Sequence, residues 1–334
     1  MTGIIATLGP ASANKDMLIK LHQAGVTIFR FNFAHESFES ATKTMSLIRE
    51  IEKEGGVKIH TLLDAEGPGI RTGVLKTNID YKTGEQFKIY VDGKQHESKS
   101  LLCDYIHLPD DVKVGGIMKI DAGLFKVKIL ETHPEYISVE AQNDFSVGSR
   151  RHINLPGVHV HLPSFTDKDK KDVLFAIQSN FDFVALSFVR SADDMIELRK
   201  FLNDNGGSHI KTIAKIENEE GITNVSEIAA ASDMIMVARG DLGTELPIEN
   251  IPLYQIEIIQ KTKLQNKKVI VATEMLESMI HNPSPTRAEV NDVFYAEIEG
   301  ADYVMLSGET AVGEHPVECV DMMKKIIDSA EKYM

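Results

Sequence analysis

The segment TIAKIEN, Thr212 to Asn218, sets a lysine and a glutamate two residues apart in a run of β-formers. Side chains alternate across a strand, so Lys215 and Glu217 share a face. The first supplies a cation for an anionic substrate, and the second is a hard oxygen ligand for a divalent metal. Asp241, in MVARGDLG, stands where it can join Glu217. Magnesium takes one or two protein carboxylates and completes its shell with water and substrate oxygens. Either acid alone reads equally well as a solvated or helix-capping carboxylate; Lys215 beside them favours the metal. RFNFAHE puts Arg30, Asn32 and Ala34 on one strand face and Phe31 and Phe33 on the other. LLDAEGPGIRTG gives Asp64 and then, past a Gly-Pro-Gly hinge, Arg71. Two arginines and Lys215 make a clamp for phosphate and carboxylate, because guanidinium forks match planar oxyanions and an ammonium is a point charge. Thr273, in VATEMLESM, offers a hydroxyl that can bind substrate or relay a proton, though read alone it is more readily a capping threonine.

These residues fall at the ends of short apolar runs, and the runs recur: IIATLGP (4–10), TIFRFNF (27–33), HTLLDAEG (60–67), FDFVALSF (181–188), IKTIAKIE (210–217), MIMVARGD (234–241), KKVIVATE (267–274) and DYVMLSGE (302–309). Most are rich in Val, Ile and Leu, as strands buried on both faces are. Amphipathic stretches such as ATKTMSLIREIEKEGG and ADDMIELRKFLNDNGG separate them, several closing on a glycine as a helix C-cap does. The expectation is an α/β fold, a (β/α)8 TIM barrel, whose chemistry sits at the C-terminal strand ends. From Pro68 to Val160 the helical period gives way to short alternating runs, QFKIYVDG, IMKIDAGLFKVKIL and YISVEAQ, punctuated by Gly and Asp turns. This predicts a barrel over 1–67 and 161–334 and a small β-barrel domain over 68–160, inserted after the third strand and suited to act as a lid.

Composition narrows the partners. The chain has 334 residues, 43% hydrophobic and 26% charged, with a net charge of −14. That acidity argues against nucleic-acid and anionic-membrane partners, both of which demand a basic surface. No apolar run is long enough to span a bilayer, and Met1 opens no signal-peptide pattern. Cys103 and Cys319 form neither a disulfide framework nor a zinc spacing. A reducing cytoplasm is the expected location. His159 and His161, with His152 nearby, allow a second metal on spacing, but read better as hinge histidines near a phosphate site. The run KDKK at 168–171 reads as solvated helix surface.

At this point the chain resembles a known family. TLGPAS (7–12), RFNFAHE (30–36), LDAEGPGIRTG (63–73), INLPG (153–157), LSFVR (186–190), AKIEN (214–218), VARGDLG (237–243), ATEMLESM (272–279), PTRAEV (285–290) and MLSGETAVG (305–313) resemble, in order, the motifs of the pyruvate kinase catalytic barrel. The resemblance implies a barrel with an inserted lid, dependence on Mg2+ or Mn2+, and phosphoryl transfer between phosphoenolpyruvate and ADP. By position, Glu217 and Asp241 would hold the divalent metal, and Lys215 and Arg30 would stabilise the transferring phosphoryl group. Thr273 would lie beside the enol face where pyruvate is protonated. Ser187 and Arg71 would support the phosphate side, and the Gly240 and Asp241 amides would receive the carboxylate. Thr7, Pro10 and His35 match positions near the nucleotide.

The departures cluster. The family's serine in NFSHG and threonine in LDTKGPE are Ala34 and Ala65, so only Asn32 and Asp64 remain of a monovalent-ion site and a potassium requirement does not carry over. The lysine and final glutamate of the second motif are Glu66 and Gly69. The SGETAKG lysine is Val312 and the VDLP aspartate is His161, both on the ADP side, while Glu274 replaces a glutamine. The chain ends after the eighth helix, which predicts loss of the family's C-terminal regulatory domain and a monomer or dimer rather than a tetramer. Two readings follow: a pyruvate kinase-like phosphotransferase, or a divergent metal enzyme using an enolate of phosphoenolpyruvate, pyruvate or another 2-oxo acid without nucleotide.

Overall fold

The computed structural model describes residues 2–94 and 96–334, leaving Met1 and Gln95 outside. Its first unit runs through Gly67 and takes in Ser164–Leu242 and Glu249–Met334. Eight parallel strands close there into a barrel: Gly3–Thr7, Val26–Asn32, His60–Asp64, Phe183–Leu186, Lys211–Ile216, Met234–Ala238, Lys268–Ala272 and Tyr303–Leu306. Each pairs with its sequence neighbours, and Gly3 opposite Tyr303 joins the first strand to the last. The first and sixth strands are buried at every residue, as parallel strands covered on both faces must be. The helices begin and end by recognisable chemistry. Ser37 caps Phe38–Gly55 by accepting from Ser40 N, and Gly56, at φ +62°, ends it in the left-handed region. Thr166 with Asp169, and Thr286 with Glu289, form reciprocal capping boxes.

The period-2 alternation of the strands builds the site. Ile5, Ile28, Leu62, Ala185, Ile213, Met236, Ile270 and Met305 belong to one buried cluster. Two residues further along five of these strands come Thr7, Arg30, Asp64, Ser187 and Lys215, all buried. A polar layer therefore stands on an apolar plug, at the C-terminal ends of the strands.

The opposite ends are stapled. Asp182 N donates to Thr61 O at 3.1 Å while its carboxylate accepts from Thr61 N at 2.9 Å. Asp233 does the same to Thr212, and Asp302 to Val269, each carboxylate bond being 2.7 Å. Thr27 Oγ1 donates to Ile4 O at 2.9 Å, lacing the second strand to the first.

The strands are shorter than their apolar runs. The second ends at Asn32, so Ala34 lies in a turn, its N–H donating to Asn32 Oδ1, and not on the strand face expected for it. The sixth ends at Ala238 because Arg239 opens a helix, Arg239–Glu245, that carries Asp241. The seventh ends at Ala272 because Thr273 and Glu274 turn into the left-handed region, at φ +72° and +54°. The KDKK run is also not mere surface. Lys168 Nζ donates to Phe33 O (2.9 Å) and Asp172 (2.8 Å) and lies 3.5 Å from Glu66. Asp169 and Asp172 are buried, the former accepting from Gly67 N.

The second unit comprises Pro68–Pro163 with Gly243–Ile248. Its main sheet orders Ile70–Arg71, His152–Asn154, Ile117–Ile120, Phe125–His133, Tyr136–Ala141, Gln86–Tyr90 and Leu101–Leu102. The two edges meet through the Thr72–Cys103 bridge and Gly73 N donating to Leu102 O at 2.9 Å, which curls the sheet on itself. Tyr81, Phe87 and Phe125 stack on one another, with Tyr81 at centroid distances of 4.0 and 5.6 Å from the two phenylalanines, in a core of the unit's own.

Candidate active site at the strand ends of the barrel

Lys215 is the centre of the polar layer. Its Nζ lies 3.1 Å from Asp64 Oδ1 and 3.1 Å from Glu217 Oε1, and donates to Ser187 Oγ at 2.7 Å. Ser187 Oγ in turn donates to Ala65 O at 2.8 Å. Arg30 approaches from the other side, its Nε donating to Asp64 Oδ2 at 2.7 Å and its Nη1 to Thr7 Oγ1 at 2.9 Å. Thr7 Oγ1 donates onward to Leu306 O. Glu217 Oε2 accepts from Phe188 N at 2.7 Å. That bond depends on Phe188 adopting φ +53°, a real outlier for a bulky residue.

Burial acts on Asp64, Lys215 and Glu217; neighbouring charges outweigh it at the first two and not at the third. Burial pushes the Asp64 carboxyl up, but Lys215 and Arg30 outweigh it and hold the group below the ordinary carboxylate range. Burial lowers the Lys215 ammonium, and Asp64 and Glu217 more than restore it, so it stays charged. Burial pushes Glu217 up to about 8, with Lys215 opposing the rise and Asp241 adding to it. Gly67, at φ +74°, is required beside this cluster, since a Cβ there would stand 2.7 Å from Ser187 Cβ.

The donors fit a hard divalent cation. Glu217 Oε1 is fully buried without a hydrogen bond, because its 3.1 Å approach to Lys215 lacks hydrogen-bond geometry, and Asp241 is near enough to raise its proton affinity. Two carboxylates suit magnesium or manganese, which fill the rest of their shell with substrate and water. Among the described residues no group of three or more His, Cys, Asp or Glu could hold a metal. His161 Nδ1 is instead 2.6 Å from Asp111 Oδ1.

Of the residues singled out by sequence, Lys215, Glu217, Arg30, Asp64, Ser187 and Thr7 come together. Thr273 Oγ1 donates to Ala272 O at 2.6 Å and accepts from Gly240 N at 2.7 Å, so the amide expected to hold a carboxylate is bonded to Thr273 here. Asn32, Pro10 and His35 lie in or at the turns after the first two strands, with Pro10 and His35 exposed. Arg71 belongs to the second unit, where its N–H donates to Asp104. Val312 is 60% exposed. Two contributors went unassigned in the sequence: the Phe188 amide, which no composition signals, and Arg239, whose place directly before Gly240 and Asp241 was a usable signal.

The chain is of the class of (β/α)8 barrels that gather charged groups at the C-terminal ends of their strands. The family within that class is identified by comparison. Residues 1–320 match the family described as "Pyruvate kinase, barrel domain", and the chain belongs to the pyruvate kinase family. It is 43% identical over 328 residues to a pyruvate kinase of Geobacillus stearothermophilus, covering 97% of this chain and 56% of that protein. It is 42% identical over 339 residues to a probable cytosolic pyruvate kinase isozyme of Arabidopsis thaliana, covering 99% and 67%. The crystal structure of a pyruvate kinase from Cryptosporidium parvum superposes with a TM-score of 0.96 at 42% identity, over 100% of this chain and 70% of that one. The chain thus spans 56% to 70% of the length of these relatives.

Proposed function

We propose that this chain is the catalytic barrel of a pyruvate kinase, which moves the phosphoryl group of phosphoenolpyruvate to ADP and leaves pyruvate and ATP. The observation that carries the reading is Lys215, a buried ammonium set between Asp64 and Glu217 and steadied by Ser187. Phosphoryl transfer asks the protein for positioning and charge rather than for covalent chemistry. Lys215 and Arg30 meet the charge of the transferring group. Ser187 holds Lys215 on line, and Arg71 serves the phosphate side by its place in the family motif. Glu217 and Asp241 hold Mg2+ or Mn2+, which when bound neutralises substrate oxygens. Thr273 faces the enol carbon, and Gly240 and Asp241 amides take the carboxylate as Gly240 exchanges its Thr273 partner. Thr7, Pro10 and His35 lie toward the nucleotide.

Asp64 Oδ2 accepts from Arg30, Asp64 Oδ1 lies 3.1 Å from the Lys215 ammonium without a hydrogen bond, and Ala34 and Ala65 bring no hydroxyl. The reaction therefore proceeds without potassium. The setting is cytoplasmic, as the names of the plant cytosolic relatives suggest, and among the described residues no helix is long and apolar enough to cross a membrane. Phosphorus NMR of phosphoenolpyruvate with magnesium, with and without ADP and potassium, tests the reading. Stoichiometric ATP in either salt is expected. Phosphoenolpyruvate left intact, or consumed without ATP, overturns it and points to enolate chemistry on a 2-oxo acid.

A further inference from the structure

We infer that Arg239 is a positioning residue for Thr273, a clamp holding the end of the seventh barrel strand in the shape that presents the Thr273 hydroxyl; for the step that this hydroxyl serves, the inference rests on the pyruvate kinase reading above. Thr273 and Glu274 both sit in the left-handed region. A residue with a Cβ resists that conformation, and a β-branched one resists it most. Such strain persists only where surroundings over-determine it. One guanidinium does so. Its Nε donates to Ala272 O at 3.3 Å, and its Nη2 donates to Thr273 O and, at 2.9 Å, to Met275 Sδ, so it spans the turn from entry to exit. Its other edge is anchored by Nη1 donating to Asp292 Oδ1 at 2.6 Å and Gln255 Oε1 at 3.3 Å, with Gln255 tied in turn to Glu299. The Arg239 side chain is only 10% exposed, so water competes little for these bonds.

The next residue completes the grip. Until a substrate carboxylate takes the Gly240 amide, Gly240 N holds Thr273 Oγ1, while Arg239 holds the Thr273 carbonyl throughout, and Asp241 follows directly. Consecutive residues therefore register a metal-ligand carboxylate against the hydroxyl. A lysine cannot replace the clamp, because a single ammonium cannot span carbonyls and anchor in one plane.

The test joins two readouts on Arg239→Gln and Arg239→Lys. Hydrogen–deuterium exchange of residues 272–276 reads the turn without any reaction, and is expected to quicken in both variants. Deuterium uptake into the pyruvate methyl group in D2O with magnesium, followed by proton NMR, reads the enol step. It is expected to fall on the order of 100-fold, the cost of misplacing a reacting group by about 1 Å, with KM for pyruvate little changed. In a Thr273→Ala background the same change is expected to cost almost nothing further. Asp292→Asn, which only loosens the anchor, is expected to give a smaller loss in the same direction, and serves if Arg239→Gln does not fold. Unchanged amide exchange, full activity in Arg239→Lys, or an equal loss on top of Thr273→Ala overturns the inference. A wild-type protein inert toward pyruvate would instead refute the reaction assigned to Thr273, and the amide exchange would still decide the clamp.

Discussion

Lys215→Met removes the cation from a buried group of charges and leaves its carboxylates behind. Each of the two 3.1 Å contacts that Lys215 makes, with Asp64 and with Glu217, is worth about 5 kcal/mol of gross attraction at an effective dielectric of about 20. The desolvation of the ammonium offsets much of that sum, and Arg30 still faces Asp64. Glu217 has no such second cation and is wholly buried. Breaking one partner from a buried pair costs about 3–5 kcal/mol, so that loss is the expected effect on unfolding free energy. Methionine keeps most of the volume, which limits any cavity contribution. The assay is urea unfolding in EDTA at about pH 9, above the value of about 8 to which burial pushes Glu217, so that the acid is ionised beside Lys215, followed by circular dichroism. The decisive arm is Lys215→Met with Glu217→Gln: neutralising the stranded acid is expected to return more than half of the loss, even though two site residues have changed. A single variant within about 1 kcal/mol of wild type, or a double variant less stable than the single, would refute the electrostatic account of the site.

Further outcomes follow from the same geometry. Glu217→Gln is expected to abolish Mn2+ binding measured by electron paramagnetic resonance, while Ser187→Ala retains it and loses stability by about 2 kcal/mol, as Lys215 and Ala65 O both lose a partner. Gly67→Ala combines a left-handed backbone with a 2.7 Å clash and is expected to lower the melting temperature by several degrees. Burial pushes Asp182 up, but the Thr61 amide and Lys58 outweigh it and leave the group below its ordinary value. A depressed carboxyl stabilises the fold above its unfolded value and loses that contribution as pH falls through its folded value. Asp182→Asn is therefore expected to cost about 1 kcal/mol at pH 7 and nothing near pH 2, with the difference disappearing below about pH 4 in a series of thermal melts.

The barrel was legible because eight apolar runs alternate with helical periods, a pattern that few folds satisfy. The ends of the strands were not. Phe188, Thr273 and Glu274 leave the ladder through the left-handed region, and none of these residue types announces that conformation. Tertiary bonds impose it, from Glu217 onto the Phe188 amide and from Arg239 onto the Thr273 carbonyl. The pairing of Lys215 with Glu217 could be read from spacing alone, since alternation puts them on one side of the chain. That Asp64 would complete the triangle could not, because it required knowing which strands adjoin. The charged run at 168–171 misled for a simpler reason: at helical spacing Asp169 and Asp172 share an inward side, and composition does not reveal which side faces the barrel.

The aspartate staples at the feet of the strands have a further consequence. They tie the third strand to the fourth, the fifth to the sixth and the seventh to the eighth, while Thr27 ties the second to the first. The barrel is in effect a ring of four buttoned cuffs. One button, Asp182 on Thr61, closes the pair between which the long insertion departs and returns. Because the cost of closing a loop grows only slowly with its length, a pair fastened at its base can carry an excursion of almost any size at its other end. Such a site is open to the grafting of new sequence, and the register beneath it is spared the consequences.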